Sequence, residues 1–431
     1  MGPRHAAPAR LDAHGPSPMI LQGRLLAVAD RSPQPGWLRV EQCRIVEVAS
    51  GDPPEAPAAG GPDAILCPGF IDAHIHLPQI EQAGCDGLEL LAWLDEIIYP
   101  AEGRWADPEV ARADVVLASR RMLASGTLGY AGYLTSHPGG VVAALDVAQD
   151  TDLRAIVGQV LMDRNGPQQL LADPGALAGL AGQLAPPAGG RTALSVNPRF
   201  ALACSDEMLA LAAARAGPGV FIQTHLAETR RECEAVAGLF PDDPHYAGVY
   251  DRHGLLTDRT LLAHCLHLDD DQWRLIAERR SVVVHCPTAN TFLRSGLFDL
   301  DAARTHGVRL ALGSDVAAGP DVAMPRVARA MIETAKAKAM ASPGGAVAHI
   351  PTPAEAWTLI TRGNADALGF TDMGRIEPGA SADLLVLRPG LPFDDHLVGR
   401  LIYTWRDEYI ERVVLNGRLM DTNVSETVRG Q

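Results

Sequence analysis

The chain has no apolar run near the ~20 residues that a membrane-spanning helix needs. That sets aside proteins held in a bilayer by helices. Basic charge is also short: 37 Lys and Arg face 52 Asp and Glu, for a formal net charge of −15. Nucleic-acid phosphates demand a basic footprint, so no nucleic-acid partner is expected. The first 18 residues are rich in Ala, Pro and Arg and contain no apolar h-region. They read as a disordered tail rather than a secretory signal. There is no C-x-x-C pair. The seven cysteines, an odd number scattered from Cys43 to Cys286, suit reduced thiols in a cytoplasmic protein. There is no short-period repeat.

What is present is a long, cored chain. At 431 residues, 47% apolar and 21% charged, it suits a barrel of roughly 250 or more residues plus an appendage. Residues from Met19 to about Leu66 read as short strands, including Trp37–Val40 and Arg44–Val48. The C-terminal part has the same texture: Asp383–Leu387 is a buried-strand run, and Asn416-Gly417 is a hairpin turn. The two ends look like one β unit split by everything between them.

The middle alternates strand-like and helix-like segments, which implies a parallel sheet. Strand candidates end near His76, Tyr133, Met162, Asn197, His225, His264, His285 and Asp315. About eight such strands close a βα barrel. Helix starts are marked by Asp107-Pro108, by Ser205 before Asp206–Ala216, and by the capping box Thr352-Pro353-Ala354-Glu355. The fold expected is α/β: a (βα)8 TIM-like barrel over 67–371, and a small composite β-sandwich domain from 19–66 and 372–431.

The chemistry starts from His74-Ile75-His76. Strand side chains repeat with period two, so both imidazoles share a face. Other clusters sit at later strand ends: His225-Leu226-Ala227-Glu228, His264, and Ser314-Asp315. In a βα barrel these C-terminal ends open into one pocket. Imidazoles with one carboxylate and no thiolate suit a divalent metal, Zn2+ first and Fe2+ second. A zinc-bound water has its pKa lowered to about 7. Glu228, where the chain turns after the strand, is placed to carry protons, and His264 to orient the nucleophile. Singly, each histidine is more often an ordinary hydrogen-bonded residue; it is the conjunction that points to a site. His285 reads as structural or supporting, while His267 and His137 carry no assigned role.

With those residues in place, the chain resembles the metal-dependent amidohydrolase superfamily and, within it, is most similar to the guanine deaminase family. The resemblance runs from about Met19 to Asn423. Its markers are His74–Gln79, Leu90–Leu94, Tyr99–Glu102, Asn197–Phe200, His225–Thr229, Tyr250–Thr257, His285-Cys286-Pro287 and Gly313–Ala317. The resemblance implies His74, His76, His225 and Asp315 as metal ligands. It implies Glu228 and Asp315 as acid/base groups and His264 beside the water. Gln79 and Arg199 would read the purine edge and Phe200 would wall the pocket; Trp93 reads equally as a further lining residue or as ordinary helix packing. His76, His225, Glu228 and Asp315 would also face the substrate. The implied reaction is hydrolytic deamination of guanine to xanthine and ammonia, with no organic cofactor.

Some positions depart from the animal members. Thr224-His225-Leu226-Ala227-Glu228-Thr229 stands where they have Ser-His-Ile-Ser-Glu-Asn. Gly126–Tyr133 replaces a Thr-rich segment, and Ser314-Asp315 replaces Thr-Asp. A pterin, 8-oxoguanine, adenosine-type or triazine ring therefore stays open as an alternative substrate. Asn197, where a lysine would be needed, disfavours the binuclear branch. The other zinc deaminase signature, H-x-E with P-C-x-x-C, is absent. A non-catalytic scaffold would be expected to have lost ligands, and every ligand type is here. A homodimer is compatible with the sequence.

Overall fold

The computed structural model describes residues 17–27, 29, 32–175, 190–341 and 349–420. The N-terminal tail reading falls almost entirely outside the described residues. Four strands open the chain: β1 (Met19–Leu25), β2 (Gln34–Glu41), β3 (Arg44–Ser50) and β4 (Ala59–Pro68). β2 and β3 form a tight hairpin, with Gln42 at φ 53° in the turn.

The barrel strands follow: β5 (Phe70–His76), β6 (Thr127–Tyr133), β7 (Arg154–Gly158) continued by β8 (Val160–Leu161), β9 (Thr192–Pro198), β10 (Phe221–Leu226), β11 (Thr260–His264), β12 (Val282–His285) and β13 (Arg309–Leu312). Each runs parallel to the next in the order β5-β6-β7-β9-β10-β11-β12-β13, with β8 beside β9. Residues of β5, β6 and β12 are buried throughout. That is the pattern of a sheet covered on both faces. The seam closes just past β13: Asp315 N–H donates to His74 O at 2.8 Å, and His76 N–H donates to Val316 O at 3.1 Å. Glycine is required here, because a Cβ on Gly313 would stand 2.5 Å from His74 Cβ.

Among the described residues, helices fill the crossovers other than that from β8 to β9, and they start where the caps foretold. Asp107 accepts from Glu109 N ahead of helix Pro108–Ala124, with Pro108 in the first turn. Ser205 accepts from Met208 N ahead of Asp206–Arg215. Thr352 and Glu355 form a reciprocal capping box. Among the described residues, no helix is long and apolar enough to cross a membrane.

Three strands end the described residues: β14 (Leu384–Leu387), β15 (Ile410–Leu415) and β16 (Arg418–Met420). Asn416 at φ 51° and Gly417 at φ 76° make the predicted hairpin turn. β14 pairs antiparallel with β4, joining the chain's two ends into one sheet ordered β16-β15-β14-β4-β1-β2-β3. Edge strand β3 then meets the segment entering β14. Gly379 N–H donates to Ile45 O, Ile45 N–H to Ala380 O, and Ala382 N–H to Cys43 O. The sheet thus folds over its own apolar face, where Leu21, Leu38, Val40, Ile45, Leu66, Leu384, Val386 and Val414 form one cluster.

Candidate active site

All the sequence-predicted site residues gather at the C-terminal ends of the barrel strands. The alternation of β5 turns His74 and His76 the same way. β10 supplies His225, and the turn after β13 supplies Asp315. One donor atom from each of these four residues lies within 4.8 Å of the others. Asp315 Oδ1 is 3.2 Å from His74 Nε2 and 3.5 Å from His76 Nε2. The Nε2 atoms of His76 and His225 face each other at 3.2 Å.

This arrangement fits a cation. Burial, with mutual repulsion, pushes His74, His76 and His225 well below the usual imidazole range, so their nitrogens offer lone pairs rather than charge. His225 Nδ1 lies 2.6 Å from Arg199 O, which fixes its proton there and leaves Nε2 as the free donor atom. His74 Nε2 is buried and, among the described residues, makes no hydrogen bond, its 3.2 Å approach to Asp315 Oδ1 included. An orphaned buried nitrogen is costly in a finished core, and a bound cation would satisfy it. Asp72, on the same strand, accepts from His74 N, Ser314 N and Ser314 Oγ. It fastens the strand carrying two of the imidazoles to the segment carrying Asp315.

Beside the cluster, burial and the Asp315 charge push the Glu228 carboxyl up to about 8, and burial pushes Asp315 up to about 6. Glu228 Oε1 accepts from Ser295 Oγ at 2.9 Å, and its Oε2 stands 3.4 Å from His264 Nε2. His264 Nδ1 rests 2.9 Å from Asn290 Oδ1, and its Nε2 is 3.7 Å from Asp315 Oδ2. His267 holds the main chain of this support, its Nε2 at 2.9 Å from Ser295 O. The strand exits are sharp: Ala227, His264 and Asp315 have φ of 53°, 72° and 52°. Such left-handed residues cost of order 1–3 kcal/mol each and gather at functional sites.

A cleft reaches the cluster. Its lining includes His76, Gln79, Trp93, Arg199, Phe200, His225, Glu228, His264 and Asp315, together with Leu90, Leu94, Leu293 and Ala318. Trp93 both lines the cleft and packs, with Nε1–H donating to Cys85 O at 2.9 Å.

Sequence reasoning gave no role to Glu102, Asn290 or Ser295. Glu102, buried behind the residues that line the cleft, accepts from Gln79 Nε2 at 2.8 Å and from Arg199 at 2.6 Å. Its only advance signal was the Tyr99–Glu102 segment of the family pattern. Of the histidines without a role, His285 is buried and stacks on Phe298 at 4.5 Å. His137 sits ahead of helix Pro138–Asp150 without capping it. Asn197 binds Gly132 O and Gly158 O within the barrel.

The Amidohydrolase family model matches residues 65–420. Guanine deaminase of Escherichia coli (strain K12) is 32% identical over 372 residues, 83% of each chain. The solved structure of the E. coli guanine deaminase has a TM-score of 0.85 at 28% identity, covering 93% of this chain and 99% of that one. An adenosine deaminase from Xanthomonas campestris with bound zinc has a TM-score of 0.81 at 27% identity, covering 95% of this chain and 96% of that one. The chain belongs to the amidohydrolase family.

Proposed function

We propose that this chain is a hydrolytic guanine deaminase, converting guanine and water to xanthine and ammonia. One observation carries the reading. Gln79 and Arg199, two side chains suited to a purine edge, are locked by one buried carboxylate in the wall of a cleft that leads to three imidazoles and Asp315. The E. coli relative, similar over most of both chains, bears the name guanine deaminase.

His74, His76, His225 and Asp315 would hold one divalent cation. Imidazole and carboxylate donors without thiolate suit Zn2+ ahead of Fe2+, and the X. campestris neighbour carries zinc. When bound, the cation supplies Lewis-acid activation of a water, lowering its pKa toward about 7.

The chain's own residues do the rest. Arg199 and Gln79 engage the purine edge, and Phe200 and Trp93 wall the ring. Glu228 takes the proton of the attacking water as its oxygen adds to C2, and passes it to a ring nitrogen next to C2. It then takes the remaining proton from the added hydroxyl and gives it to the departing amine; the C2–N bond breaks, the C2 carbonyl forms and ammonia leaves. The raised Glu228 pKa, from burial and Asp315, suits a group that both takes and returns a proton near neutral pH. With its Nδ1 proton held by Asn290, His264 presents Nε2 toward the same space and orients the water. All seven cysteines are free, which supports placement in the reducing cytoplasm.

The test is to mix metal-loaded protein with guanine and follow ammonia and xanthine. Equal yields of both are expected. A panel of pterin, 8-oxoguanine, adenosine-type and triazine rings runs beside it. Preference for one of those by orders of magnitude in kcat/KM would overturn guanine as the substrate.

A further inference from the structure

We propose that Glu102 is the positioning residue of the substrate wall: it fixes which way Gln79 presents its amide and cancels the charge of Arg199. This rests on the guanine deaminase reading above.

The geometry is a three-membered unit. Glu102 Oε1 accepts from Gln79 Nε2 at 2.8 Å, and Oε2 accepts from Arg199 at 2.6 Å. The Glu102 and Arg199 side chains are each 3% exposed. A carboxamide has two faces of nearly equal shape and opposite hydrogen-bonding sense. Glu102 can only accept, so it takes the NH2 end. The Ala317 N–H can only donate, and it meets Gln79 Oε1 at 3.3 Å. These two contacts leave Gln79 a single orientation. One N–H and one oxygen lone pair remain for a ring.

The helical segment is built to bring Glu102 there. Trp93, which lines the cleft, lies nine residues before it, and on an unbroken α-helix that spacing ends roughly half a turn away. Pro100 has no N–H, and a π turn over Leu94–Ile98 breaks the α register between them.

Charge gives the second half of the argument. A buried ion pair is a poor device for stability alone, since apolar side chains often replace one without loss. Here the pair borders a cleft. Without Glu102, Arg199 would present an uncompensated cation, and such a wall favours anionic rings. Deamination replaces an amidine amine by a carbonyl, which makes the ring N–H more acidic. An unpaired Arg199 would therefore hold product in preference to substrate. The neutral pair Glu102–Arg199 favours the neutral amino ring and lets product leave.

The experiment compares the parent with Glu102→Gln, Arg199→Met and the double variant, each checked for metal content and Tm. Guanine kcat and KM and the xanthine inhibition constant are measured. Glu102→Gln is expected to raise guanine KM about 10-fold or more, the loss of one buried charged contact, with kcat changed by less than about 3-fold. Xanthine should gain on guanine in relative affinity. The double variant should lose less than the product of the two single losses, because both act through one unit. Strictly multiplicative losses, or a folded, metal-loaded Glu102→Gln with unchanged KM, would overturn the proposal. Should Glu102→Gln not fold, Glu102→Asp keeps the charge and withdraws the carboxylate: a raised KM with an unchanged xanthine-to-guanine ratio is expected, and an unchanged KM overturns it. If the parent turns over a different ring and not guanine, the proposed reaction fails. The same variants then test Glu102 on that ring.

Discussion

The main-chain oxygen of Arg199 lies 2.6 Å from Nδ1 of His225, while the same residue's guanidinium is bound to Glu102. One residue therefore serves two neighbouring sites by different parts. Its backbone sets the ring of a proposed metal ligand; its side chain faces the proposed purine pocket.

The two duties can be separated by substitution. Arg199→Met removes the guanidinium and leaves the carbonyl in place. Metal content by elemental analysis should stay near that of the parent, while guanine kcat/KM falls about 100-fold, as expected for losing a charged hydrogen-bonding partner worth about 2–3 kcal/mol. Metal lost in step with activity would show that the two functions are not separable.

Glu228 should behave as a proton carrier rather than a metal ligand. Glu228→Gln keeps its shape and its contact with Ser295, but it cannot shuttle protons. Turnover is expected to fall about 10²–10⁴-fold with metal retained. Ser295→Ala removes only the hydrogen bond that aims Glu228, so a loss of about 10-fold or less is expected. Similar losses in the two variants would argue against the assigned roles.

Metal affinity should depend on pH through Asp315. Burial raises its pKa to about 6 and lowers those of His74, His76 and His225 well below 6.5. Below about pH 6 a proton sits on Asp315 and must be displaced by the cation; above it none competes. Affinity should therefore be flat above pH 6 and fall about tenfold per unit below it, one proton per cation. Calorimetric titration with Zn2+ across this range reads the slope. A steeper loss starting above pH 6.5 would mean that the imidazoles are the groups being protonated.

Removing Asp72 should open the seam. Three donors, His74 N, Ser314 N and Ser314 Oγ, rely on its carboxylate, and each buried donor left without a partner costs about 1–3 kcal/mol. Asp72→Ala is expected to lose about 2–5 kcal/mol in denaturant unfolding of the metal-free protein. Unchanged stability would mean that water or a shifted backbone replaces the carboxylate. His74→Ala, by contrast, should act chiefly on metal, reducing the bound equivalent.

The barrel and its donors were legible because their signals are local. Asp107-Pro108, Ser205, Thr352 with Glu355, and Asn416-Gly417 each act within four residues, and each does in the structure what its chemistry predicts. His74, His76, His225 and His264 stand out because they end strands. Glu102 was hidden. Its partners lie 23 and 97 residues away, and it sits on a helical segment whose π turn no periodicity reveals. Asn290 and Ser295 were hidden for the same reason, since their partners His264 and Glu228 are brought to them only by barrel closure. The left-handed exits at Ala227, His264 and Asp315 gave no sign either, because no glycine marks them.

The hydrogen bonds from Asp315 to His74 O and from His76 to Val316 O close the barrel where its first and last strands meet. During synthesis, a chain still short of residue 315 can present at most three of the four donors, on a sheet with two open edges. With the proposed ligand set, strong cation capture would be postponed until the ribosome has released nearly three-quarters of the sequence. A cation held by the proposed ligands would tie together the barrel strands most distant in sequence, so that loading would double as a checkpoint on completed folding.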